Sequence, residues 1–153
     1  MIIQRINRTN PEQVYAIVEN TSGQTLTVGI PTCWDTGGAG LAAASVGIAV
    51  RVPATSNLAA FAGIPQENIA KDAGTIGKIL IYGLASAVVH VGAASVSAAG
   101  LKVGPANAAL SLQSNGYPTD GGAGIGNSAL PLVVVMNNDL SGPGTVNVFV
   151  RAM

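Results

Sequence analysis

Glycine, proline and asparagine break this chain at intervals of about 8–12 residues, the spacing of short strands joined by tight turns. No segment repeats apolar residues at the helical period for long enough to give a helix a buried face. Together these two features restrict the chain to an all-β fold, a small antiparallel β-barrel or sandwich with long Gly-rich loops. Its 153 residues include 20 Gly and 8 Pro, and a chain of this size buries about 70% of its unfolded surface around one core.

Val14, Ala16 and Val18 alternate with Tyr15, Ile17 and Glu19, and beyond Asn20-Thr21-Ser22-Gly23 the alternation resumes at Leu26, Val28 and Ile30. Period-2 patterning on both sides of a turn predicts a hairpin. The last segment alternates most cleanly, with Val146, Val148 and Val150 against Asn147, Phe149 and Arg151. Leu130–Met136 is apolar on both faces and reads as a central strand. Ile76–Tyr82 and Ala87–Val91 read as two strands joined near Gly83, and further runs lie at Ile48–Val52, Leu58–Ile64, Leu101–Val103 and Ala109–Gln113. About nine or ten strands result, with one helical turn expected at Glu67–Lys71 after Pro65. Thr32–Ser45 and Ser114–Ser128 read as long loops, residues 1–12 as an arm or edge strand, and residues 13–153 as a single β domain.

Only 9% of the residues are charged, and seven Lys and Arg balance seven Asp and Glu. That removes the electrostatic attraction on which nucleic-acid and anionic-membrane binding depend, so neither partner is expected. Near-zero net charge and an apolar composition favour association instead. Ile79–Leu101 has the length of a membrane span, but its Ala, Ser and Gly content and His90 argue for strands. Met1–Arg8 lacks the pattern of a secretory signal. Asn7-Arg8-Thr9 and Asn20-Thr21-Ser22 match the glycosylation pattern and are expected to be accidents of an Asn- and Thr-rich sequence.

The chemistry-bearing residues are sparse. Cys33, the one cysteine, reads as a buried structural thiol, and His90, the one histidine, has no ligand-spaced partners. Gly121–Gly126 does not sit between a strand and a helix, as a phosphate loop must. Glu67 and Asp72 read as a solvated turn rather than a glycosidase pair. No enzyme activity, catalytic residue, cofactor or metal is expected. The residues suited to holding a partner are Ile2, Ile3, Arg5, Ile6 and Arg8 of the arm, with Trp34 and Tyr117 in the two long loops, although Trp34 also reads as a core plug under its loop.

Phe61-Ala62-Gly63-Ile64, then Ile69, then Gly74-Thr75-Ile76-Gly77-Lys78-Ile79-Leu80-Ile81-Tyr82-Gly83, then Ala99-Gly100-Leu101-Lys102-Val103-Gly104 form a cadence of Gly and aliphatic residues. This stretch, Val46 to Val103, resembles the capsid decoration, or cement, proteins of tailed bacteriophages. The resemblance implies a β-barrel or β-tulip domain that forms a homotrimer and binds the major capsid protein on the outside of the mature head. It also implies a structural virion protein made in the host cytoplasm and carried on the capsid surface. The alternative reading is another virion or surface β-module, of a tail, a fibre or a carbohydrate-binding domain.

Overall fold

The computed structural model describes residues 12–36, 48–54, 57–58, 60–72, 74–90, 100, 102–105, 111–114, 133–136 and 144–152. Nine strands run through them: β1 (Val14–Asn20), β2 (Thr32–Trp34), β3 (Ala49–Arg51), β4 (Phe61–Pro65), β5 (Ile76–His90), β6 (Lys102–Pro105), β7 (Leu112–Ser114), β8 (Val133–Val135) and β9 (Gly144–Arg151). The pairings β1-β3-β2-β4-β5 return to β1, which closes a five-stranded β-barrel. Strands β7, β6, β8 and β9 lie outside that barrel, and the β5–β9 ladder joins them to β5 in a second closed circuit of pairings. Most pairings are antiparallel, as expected, but β1–β3 and β5–β7 are parallel.

β5 belongs to both circuits because it does not stop at Gly83. The sequence predicts two strands meeting there; instead one 15-residue strand runs through. Gly83 sits at φ +120 with the Glu12 carbonyl oxygen and Gln13 where a Cβ would project. A glycine adopts that backbone without the clash an L side chain meets, so the chain bends and keeps pairing where a larger residue would force a turn. Before the bend β5 pairs with β1, from Glu19–Ile76 to Val14–Tyr82. From Tyr82 onward, across the bend, β5 pairs with β9, from Tyr82–Arg151 to Val89–Gly144.

Two cores follow from this sharing. Val18, Leu26, Val50, Ala62, Ile69 and Ile79 fill the first, with Ala16, Trp34, Val52 and Ile81 packed against them. The second holds Phe61, Ile64 and Leu80 together with Ala85, Ala87, Val89, Val103, Leu112, Val133, Val135 and the valines of β9. Ile79 and Leu80 point to opposite faces of β5 and are both fully buried, so the strand is a wall between the cores and must be apolar on each side. The final strand matches its alternation: Val146, Val148 and Val150 are buried, while Thr145, Asn147 and Arg151 are exposed. β8 pairs with β6 on one side and β9 on the other, the central position its apolar sequence predicts.

Three local expectations are corrected. Residues 26–30 do not return along β1 as a hairpin; Leu26 bridges Ile69 instead, with backbone bonds in both directions. The side chain of Asn20 explains why. Its amide nitrogen donates to the carbonyls of Gln24, Ile69 and Ala70, and its oxygen accepts from the N–H and hydroxyl of Ser22. The turn is thereby stitched to the 69–70 segment and steered away from β1, and the engaged, buried amide leaves nothing for glycosylation. The helical turn expected at residues 67–71 does not form; Ile69 bridges Leu26 instead, between bends at Glu67 and Lys71. Thr32–Trp34, taken from sequence as the head of a loop, is strand β2, paired with β3 and β4.

Candidate interaction surface

The alternation in β1 and β5 decides which side chains leave the barrel. Ala16 and Val18 pair with Ile79 and Gly77 and face inward, so Ile17 and Glu19, paired with Lys78 and Ile76, face outward. Ile17 is 63% exposed and Ile76 64%, large values for isoleucine in strands. Tyr15 stands beside them at 40%, its ring 4.8 Å from the Lys78 ammonium, a cation–π geometry that holds the lysine flat over the face. Covering such a side chain is worth about 1.5–3 kcal/mol, and clustered exposed apolar residues mark contact surfaces. Val28, Ile48 and Met136 are further large apolar side chains left exposed elsewhere.

A second feature is an open groove of about 490 Å³ lined by Gln13, Gln66, Leu84, Ala85, Ser86, Met136 and Asn147. Its polar groups are amides and a hydroxyl. Gln13 Nε2 donates to the Leu84 carbonyl at 2.7 Å, Gln66 Nε2 to the Ile64 carbonyl at 3.2 Å, and Ser86 Oγ lies 3.4 Å from Asn147 Oδ1. With no charged or aromatic residue lining it, this groove offers neutral hydrogen bonding over an apolar floor.

The remaining candidates are buried. Cys33 is buried in β2, and loss of hydration pushes its thiol from 9.0 up to about 12, so it stays protonated and unreactive at neutral pH. Asp35, two residues further on, is also buried, accepting from the Thr21 hydroxyl at 2.9 Å and facing Arg51 at 3.7 Å; these contacts tie the 21–22 turn to β3. Among the described residues no three His, Cys, Asp or Glu side chains gather to hold a metal ion. Among them, too, no helix is long and apolar enough to cross a membrane. His90 ends β5, and its imidazole lies outside what the structure describes.

Of the partner-holding residues expected from sequence, Ile2, Ile3, Arg5, Ile6, Arg8 and Tyr117 lie outside the described residues, as does the glycine run 121–126. Trp34 is half-buried and packs against the first core. Sequence reading missed Ile17, Ile76 and Lys78 as surface elements. The signal was present in β1, where Ile17 falls on the same side of the alternation as Tyr15 and Glu19 and opposite Ala16 and Val18. Comparison with protein-family models finds no model that matches this chain, and comparison with curated proteins finds no match.

Proposed function

We propose that the protein is a structural component of a tailed-phage virion that binds the outside of the capsid and stabilises the mature head by bridging capsid subunits. The observation that carries this reading is the apolar surface that a nearly uncharged barrel leaves exposed, Val28, Ile48 and Met136 in addition to Ile17 and Ile76. Such a surface gains stability by meeting other protein, and each bound copy that buries area across a seam favours the assembled shell by mass action. The residues of the resemblance support the reading from a second side: Phe61–Ile64 lie in β4, Ile69 forms the bridge to Leu26, and Gly74–Gly83 lead into and form the first half of β5. The partner is the major capsid protein, and the copies assemble as a trimer, as the resemblance implies. The buried, protonated Cys33 suits a structural role rather than catalysis.

The test mixes the purified protein with unexpanded and expanded heads of its own virus and sediments the heads. Saturable binding to expanded heads, with a higher temperature of DNA release, is the expected result. Heads of both kinds that sediment without the protein would overturn the proposal. A second reading, a carbohydrate-binding virion module, rests on the neutral groove. It predicts glycan-array binding that is lost in Gln66→Ala and Asn147→Ala.

A further inference from the structure

We infer that the outer face of β1 and β5 is a contact surface for a second copy of this chain, related by a two-fold axis. The cross-strand register sets out a checkerboard. Ile17 stands opposite Lys78 and Glu19 opposite Ile76, so the two isoleucines occupy one diagonal and the two opposite charges the other. A two-fold axis lying in the contact plane along the isoleucine diagonal places Ile17 on Ile17 and Ile76 on Ile76 of the second copy. The same rotation exchanges the charged corners, so Glu19 of each copy meets Lys78 of the other. One surface thus supplies both halves of its own complement, as an isologous contact requires.

The charges are available for this. Among the described residues Glu19 forms no ion pair, and the Lys78 ammonium is held over the Tyr15 ring, at the face rather than away from it. Strands of the two copies cross steeply, in the manner of orthogonal sheet packing. The apolar diagonal supplies the affinity, and the exchanged charges fix the register and exclude sliding. The patch is small, so association is weak by the standard of stable dimers. The inference concerns self-association and holds whether or not the chain binds a capsid; added to a trimer, the two-fold contact gives six copies.

Sedimentation of the purified chain across concentrations up to about 1 mM tests it. The expected mass rises to an even number of copies. Glu19→Lys and Lys78→Glu alone each place like charges together twice in the contact and weaken association at least about tenfold, while the double exchange restores it to within about threefold. Ile76→Ser, at an exposed position, also weakens association and leaves the thermal unfolding midpoint nearly unchanged. A chain that remains one copy or three at the highest concentration overturns the inference. So does association unaffected by the single charge changes, or unrescued by the double one.

Discussion

The two cores that share β5 are held in different ways. Around the first, β1 and β5 share a ladder of six pairs, but β2 and β3 have three residues each, and their ladders with one another and with β1 and β4 are correspondingly brief. Buried polar side chains supplement them, with Asn20 stitching turn to turn, Asp35 holding Thr21 and facing Arg51, and Thr32 bonding the Gly63 carbonyl. Around the second, β7 and β8 are as short as β2 and β3, but β5 and β9 form one long uninterrupted ladder whose inward positions are Ala and Val. At the short β2 and β3 directional side-chain bonds fix the geometry; along the β5–β9 ladder shape and apolar burial suffice.

The largest effect should come from the wall between the cores. Leu80→Ala removes a fully buried side chain from the second core while Ile79 behind it still packs in the first; a loss of about 3–5 kcal/mol in urea unfolding is expected. Next comes the polar stitch. Asn20→Ala strips partners from the Ala70 carbonyl and the Ser22 N–H, and should cost about 2–3 kcal/mol. Local hydrogen exchange should rise at Leu26 and Ile69 but not along β9. Uniform acceleration in both halves would show that the stitch does not act locally.

The smallest effect appears only in alkali. Folding raises the Cys33 thiol from 9.0 to about 12, so above about pH 9 the unfolded chain releases a proton that the folded chain retains. The contribution is fully present below that pH and is lost as pH climbs through the folded value. Cys33→Ala should therefore flatten the alkaline fall of the unfolding midpoint. An equally steep fall in the variant would show that other groups drive it.

The alternations that read cleanly in the sequence belong to strands with one wet face. β9 was legible residue by residue because Asn147 and Arg151 mark the outside between buried valines. β5 was not, since a strand between two cores has no consistently polar side, and Gly83 carries the same letter in a bend as in a turn. The 26–30 segment has strand-like alternation, yet Asn20 diverts it through bonds to carbonyls 49 and 50 residues away in sequence. That separation lies beyond any local pattern. The outward face of β1 was visible in the alternation, but its partner column in β5 becomes known only with the Ile17–Lys78 register.

The most direct test of the proposed role is imaging of virions assembled with and without this chain. Added density is expected on the outside of the mature capsid, at seams between capsid subunits, and it disappears when the chain is omitted. Capsids identical in the two preparations, or a difference confined to the tail, would contradict it.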